Sequence, residues 1–518
     1  MARASLAELD SIDTDSLPHQ TVLTLKLVRF HLETESQALS RYWLAQDYGM
    51  FPALFPVGPY GGGYLFTIIA KVFNDFAFAK RSDTDRYLAL VEDYAHLLEQ
   101  MHVKLVNQDA RGIRIPQSAL AGVRTLIRSQ ANAAPECLRV DPKRLSALGA
   151  CCSLADEIAR RTQERIGAAF AALLDFLDED YAARAPAGVG MAQFPGGSQV
   201  YEALVAEHLS MPVTIEAVHR AGHERMARLE AEMAEIRTRL SYANRGEFHR
   251  YLVTDPRWAA NTGAQTQARF DAAIRRFEPR LDELFRFKPK ARYRAAPLDA
   301  KLEGGMTYGF YQEPIVGHPD GVYYFNGSDV GDKTLATAPS LIYHELIPGH
   351  HFHIASQKEN ALLHPLRRLM LFNAFNEGWA EYAATLVGEV GMYENPCERY
   401  GRLVFDAFLT CRLVVDTGMN ALGWPLERAR QYMREHTLLT EGEIRSETIR
   451  YSTDIPAQSL AYKMGELKMH ELRDRARRVR GTSFDIREFH DIVLGSGALP
   501  LQVLDWHVSQ WLDNRISP

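Results

Sequence analysis

Apolar side chains recur every three or four positions along most of this chain, the period of a helix with one buried face. Tyr87 to Leu105 carries Leu88, Leu90, Val91, Tyr94, Leu97, Leu98 and Met101 on one stripe, and Ile158 to Leu177 repeats the pattern. Thr214 to Leu240 reads as a long helix, with Val218, Met226, Leu229 and Met233 near one face and charges opposite. Asp271 to Phe285 and Pro425 to His436 predict shorter helices. Pro339 to Gln357 predicts a helix with a proline and a glycine in its middle, Met370 to Gly388 another, and Ile444 to Arg480 at least one more with a break near Pro456. The arginine-rich run Arg473 to Arg480 reads as the solvated last turns of that helix.

The period changes in one place. Met306 to Phe310 and Val322 to Asn326 are short, aromatic and rich in strand formers, with the turn residues Pro319, Asp320 and Gly321 between them. They predict a small sheet. Ala185 to Ser198 and Lys288 to Pro297 read as Gly/Pro-containing connections. No repeat, low-complexity tract or long linker divides the chain.

Composition narrows the class. Of 518 residues, 46% are hydrophobic and 24% charged, which is ordinary globular usage with material for a large core. A net charge of −6 argues against nucleic acid and anionic membrane surfaces as partners. The five cysteines, Cys137, Cys151, Cys152, Cys397 and Cys411, form no CxxC pair and predict no disulfide framework, which fits a reducing compartment. Met1 to Asp15 has no apolar segment of signal-peptide type, and Tyr60 to Phe73 is too short and too broken by Gly61, Gly62 and Gly63 to span a bilayer. The expectation is a soluble, cytoplasmic protein.

The chemistry concentrates in Tyr343-His344-Glu345-Leu346-Ile347-Pro348-Gly349-His350-His351-Phe352-His353. In the common HExxH pattern two histidines four apart on a helix share a zinc ion, and the glutamate activates its water. Here position 348 is proline, and the next histidine comes two residues later. Proline breaks a helical hydrogen bond, and Gly349 eases an unusual backbone beside it. A local bulge can therefore return His350 to the metal side. His351 is the alternative, although two helical turns put its backbone about 10.5 Å from that of His344. Asn376-Glu377-Gly378-Trp379-Ala380-Glu381 supplies the acid, with Glu377 and Glu381 on one helical face. Glu377 is assigned to the metal and Glu381 to the imidazole of a ligand histidine.

HELIPGHH followed by NEGWAEY resembles a bacterial zincin-like family of unknown function with the signature HExxPGHH. FPGGSQVYEALV (Phe194 to Val205), the Tyr311 and GVYYFN region, VVDTG (Val414 to Gly418), RYSTDIPAQSLAYKMGELK (Arg450 to Lys468) and FHDIVLGSGALPLQVL (Phe489 to Leu504) extend the likeness. The resemblance implies a mostly α, metallopeptidase-like fold with a small β-sheet beside the active-site cleft, similar to angiotensin-converting enzyme and the helical carboxypeptidases. It also implies that Glu377 and Glu381 divide the roles of ligand and ligand support, and that Arg450-Tyr451 matches an Arg-Tyr pair whose tyrosine stabilises the tetrahedral intermediate. Asp416, His490 and Tyr311 are singled out by the resemblance alone. Two positions depart from the family pattern: Asn420 where histidine is expected, and Pro456-Ala457-Gln458-Ser459 where PGQA is expected. Both are expected to line the cleft and to alter specificity or activity.

Together these readings predict one helical unit over residues 1–518, a helical N-terminal part at 1–180 and a catalytic part at 181–518. They predict a Zn2+ ion on His344, His350 and Glu377 and hydrolysis of a peptide or small amide substrate. Glu345 is the expected general base and Tyr451 the oxyanion donor, with Tyr462 second to it. Arg450 either holds a substrate carboxylate or acts structurally. The strand at Val322 to Asn326 is either an ordinary sheet strand or an edge to which an extended substrate adds. A hydrolase of non-peptide metabolites and a catalytically silent zinc-binding scaffold are the alternatives.

Overall fold

Residues Asp83–Asp109 form a helix in which Tyr87, Val91, Tyr94, Leu98, Met101 and Leu105 are buried along one stripe, as their spacing predicts. The same logic holds down the chain. The computed structural model describes all residues except 48–50, 60, 146–151, 299–307, 316, 328–332 and 517–518. It is 69% helical and 5% strand, so the fold is mostly α with small sheets. Its buried apolar side chains form one connected cluster running from Leu23 to Trp511. No described helix is long and apolar enough to cross a membrane.

The elements that position the candidate site lie in the second half. Helix α1 (Ile215–Arg239) is capped by Thr214, whose side chain accepts from the Ala217 N–H. Helix α2 (Gly263–Phe277) begins eight residues before the predicted start, because Thr262 and Gln265 form a reciprocal capping box. Strands β1 (Tyr293–Pro297), β2 (Gly309–Gln312) and β3 (Gly321–Phe325) make one sheet in the order β1-β3-β2, with β1 parallel and β2 antiparallel to β3. Two expectations are corrected here. Tyr293 to Pro297 is a strand, not part of a connection; its alternation is hard to read in YRAAP, yet Ala295 and Ala296 are buried. The strand predicted at Val322 to Asn326 is central, with both edges paired, so it offers no edge to a substrate. Met306 and Thr307 of the other predicted strand lie outside the described residues.

The predicted helix over Pro339 to Gln357 is in fact two helices, α3 (Ala338–Glu345) and α4 (His350–Glu359). Pro348 has no N–H to donate and excludes helical backbone at the residue before it. The chain leaves helical geometry at Leu346 (φ −110°, ψ −93°) and re-enters after Gly349 (φ −80°, ψ −127°). A Cβ at Gly349 would stand 1.8 Å from the His344 carbonyl oxygen, so only glycine fits this turn. The correction is one of mechanism: a full break, rather than a bulge, absorbs the two extra residues.

Helix α5 (Asn373–Glu389) follows, then α6 (Pro396–Asn420), which packs along α1. Helix α7 (Glu441–Ile449) runs into a wider helical turn over Arg450–Asp454, and α8 (Ala461–Arg480) resumes after the break at Pro456. Helices α5 and α8 touch backbone to backbone. A Cβ on Gly378 would lie 2.4 Å from the Gly465 carbonyl carbon, and one on Gly465 would lie 2.1 Å from the Ala374 carbonyl oxygen.

Candidate metal centre

Three side chains from three helices converge. His344 comes from the last turn of α3, His350 from the first residue of α4, and Glu377 from the first turns of α5. One potential ligand atom from each falls within a group no more than 4.8 Å across. Glu377 Oε2 lies 3.6 Å from His344 Nε2 and 3.3 Å from His350 Nε2. The side chains of Glu377 and His350 keep 15% and 12% exposure against 3% for His344, so the group opens to solvent on their side.

The donor set fits a divalent cation. Among the described residues Glu377 Oε2, which is buried, has no hydrogen-bond partner, a state that costs a carboxylate oxygen free energy unless something positive meets it. Two imidazoles and a carboxylate are the donors that zinc takes in catalytic sites, with a fourth position left for water. Burial pushes the Glu377 carboxyl up, but His350 and His344 outweigh it and hold the group well below the usual carboxylate range. His344 is pulled down by burial and then pushed up to about 10 by Glu377 and Glu381.

His344 is also fixed from behind. Its Nδ1 lies 2.8 Å from Glu381 Oε1, leaving Nε2 to face the group. A carboxylate on the outer nitrogen of a ligand histidine sets its tautomer and raises its basicity. Glu381 is fully buried and held in turn by Arg402 at 2.9 Å. Behind it Lys463 lies 2.6 Å from Asp406 and against Glu466, and Arg225 lies 2.6 Å from Asp406. Three carboxylates thus meet three cations in the interior. Sequence reading missed this network, although Arg402 and Asp406, one helical turn apart inside the apolar run of α6, were its visible signal.

Glu345 adjoins His344 at the end of α3, half-buried. Burial pushes its carboxyl above the ordinary range, against the pull of His344 and His350. His351 turns away: its Nε2 lies 3.1 Å from the Ala291 carbonyl and its Nδ1 2.9 Å from the Tyr311 hydroxyl. His353 is buried beside His350 and Phe375, with no hydrogen-bond partner for either ring nitrogen among the described residues.

The remaining expected residues have partners of their own. Tyr451 is fully buried; its hydroxyl accepts from Arg412 Nε at 2.7 Å and donates to Glu447. Arg450 is buried too, donating to Gln458 at 2.5 Å with Glu447 at 3.7 Å. Tyr462, in contrast, stacks on His344 with ring centroids 6.1 Å apart and planes 10° off parallel. His490 is packed in the core between Phe285 and Trp379, its Nδ1 on the Leu284 carbonyl and its Nε2 on the Tyr382 hydroxyl.

Asn420 and Ala457 do not line a cleft, which corrects the expectation drawn from them. Both are fully buried around Asp416, which accepts from Tyr201, Ser459, Asn420 and the Ala457 N–H. Ala457 sits at φ +68°, the left-handed region that favours glycine. Burial pushes Asp416 up to about 6, against these donors.

Comparison with known proteins gives a consistent fold. A crystal structure from Colwellia psychrerythraea, of a protein described as a "putative lipoprotein", is similar to 99% of this chain and 90% of its own, with a TM-score of 0.86 and 26% identity. A Shewanella oneidensis protein, described as a "putative lipoprotein of unknown function", covers 98% of this chain and 90% of its own at a TM-score of 0.74 and 16% identity, a likeness of fold. No curated protein matches. The family described as "Bacterial protein of unknown function (DUF885)" matches residues 1–508.

Proposed function

The chain belongs to that bacterial family of unknown function, and from this premise we propose that it is a zinc-dependent hydrolase of peptide or small amide bonds, with zinc on His344, His350 and Glu377. One observation carries the reading: the three donors converge within 4.8 Å around a buried carboxylate oxygen that has no other partner among the described residues. The support of His344 by Glu381, and the raised carboxyl of Glu345 next to it, fit the same chemistry. The zincin-like signature and a fold akin to angiotensin-converting enzyme belong to this proposal.

Zinc held there would supply Lewis-acid activation, bringing the pKa of a water towards about 7. Glu345 then takes the proton of the attacking water and delivers it to the leaving nitrogen. Its burial next to His344 suits a group that must take up and pass on a proton. Glu381 keeps the His344 ring oriented. Tyr462, which lies against His344, takes the role of oxyanion donor in this reading. Arg412, which bonds the Tyr451 hydroxyl, also lies over the Tyr462 ring, while Arg450 is tied to Gln458.

A hydrolase of non-peptide metabolites loses its motive, since Asn420 and Ala457 are taken up by Asp416. A silent scaffold has no use for the Glu345 carboxyl beside His344. The free thiols at Cys137, Cys397 and Cys411 support a reducing, cytoplasmic setting, whereas the description of the Colwellia psychrerythraea relative supports an envelope one; fractionation of the native cell separates the two.

The test uses purified protein and a panel of quenched-fluorescent peptides and small amides. One equivalent of zinc and hydrolysis of a panel member are expected, and Glu345→Gln should keep the metal and lose turnover by more than 100-fold. Unchanged turnover in that variant sinks the assigned base; absence of stoichiometric metal sinks the reading as a whole.

A further inference from the structure

His219 and His223 stand one turn apart on α1, remote in sequence from the group above. Their Nε2 atoms face each other at 3.2 Å, with ring planes 77° apart. His219 is half-buried and His223 exposed, so the pair is open to solvent.

The hydrogen bonds around the pair fix where its protons sit. The Thr417 hydroxyl donates to the Leu413 carbonyl at 2.6 Å, so towards His219 it can only accept. His219 Nδ1, 2.8 Å from that hydroxyl oxygen, therefore carries the ring proton, and its Nε2 presents a lone pair. His223 Nε2–H donates to that lone pair, which leaves His223 Nδ1 to accept from the Tyr432 hydroxyl at 3.4 Å. This is a one-directional chain from Tyr432 to Leu413. It leaves His219 with its outer nitrogen anchored by a protein oxygen, as in ligand histidines, and its inner nitrogen presenting a lone pair to His223.

We propose that His219 and His223 chelate a divalent late transition metal through their two Nε2 atoms. With nitrogen–metal bonds of about 2.1 Å, a separation of 3.2 Å corresponds to an N–M–N angle of about 100°, between octahedral and tetrahedral values. Binding moves the His223 proton from Nε2 to Nδ1, where the Tyr432 hydroxyl turns to accept it, so no proton is released. Arg428 contributes positive charge nearby. That disfavours the hard cations that bind by charge and leaves those bound by imidazole covalency, Cu2+ and Ni2+ ahead of Zn2+. The outer positions go to water. The site is independent of the reading given for His344, His350 and Glu377.

Metal-stripped full-length protein titrated with Ni2+ by calorimetry tests both sites separately, with circular dichroism to confirm folding. Wild type should take two equivalents, His223→Ala one, His344→Ala one, and the double variant none. His436→Ala, a neighbouring histidine paired with Glu230 at 2.6 Å, should keep both. Equal uptake by wild type and His223→Ala, or loss of the second equivalent in His436→Ala, overturns the proposal. Equal uptake by wild type and His344→Ala instead counts against the first site and leaves this one standing.

Discussion

At the scale of single residues, two tyrosines and one alanine carry the most weight. Tyr462 stacks on His344 while Tyr451 is enclosed by Arg412 and Glu447. Tyr462→Phe should therefore lower kcat about 10²-fold with little change in stability, as loss of one oxyanion donor does. Tyr451→Phe should instead lower stability, because it strips a partner from a buried Glu447 and Arg412; steady-state kinetics and urea denaturation of both variants decide the assignment. Ala457 holds a left-handed backbone at φ +68°. Ala457→Gly should raise stability by about 1 kcal/mol, since glycine meets no Cβ penalty there, and chemical denaturation at constant pH measures it. This alanine makes sense only with its surroundings: Ser459 and Asn420 both donate to Asp416, so two departures from the family pattern converge on one buried carboxylate.

At the scale of elements, the contact of α5 with α8 holds the carboxylate arm in place. Gly378 follows Glu377 directly and meets Gly465 with no room for a methyl group. Gly378→Ala should cost about 3 kcal/mol of stability and reduce metal uptake along with it, measured by denaturation and by metal analysis of the folded fraction. An unchanged midpoint would mean the helices can part without penalty. Most helices were legible in the sequence because their apolar spacing and capping residues are local signals, as in Asp83–Asp109 and the Thr214 cap. Tyr293–Pro297 was not, because its only buried residues are two small alanines, one on each face, and its pairing partner lies 28 residues away. The broken helix at Pro348 was legible as an anomaly but not as a shape: residue types locate the proline, while the turn depends on the space around Gly349. Arg402, Lys463 and Glu466 escaped because charges buried in pairs look like surface charges until the fold brings them within reach of Glu381 and Asp406.

At the scale of the whole molecule, helices between Ala338 and Glu389 supply the group and one connected core carries them all. A ligand that binds only the folded state stabilises it by about 4 kcal/mol at a thousand times its dissociation constant. Chelation by a strong zinc ligand should therefore lower the midpoint of thermal unfolding, and adding zinc back should restore it. The far-UV circular dichroism at low temperature should not change; loss of helix on chelation would mean that the ion organises the fold.

The reason lies in the glycine pair. Turning α5 about its own axis to swing Glu377 outward would carry a flanking side chain into the gap that Gly378 leaves against Gly465, so packing holds the carboxylate in place. An ion would then arrive at a receptor already in register, and its departure would leave a vacant but unaltered cradle. Exchange of one cation for another should accordingly proceed at the pace of ligand substitution, without waiting for any part of the chain to unfold.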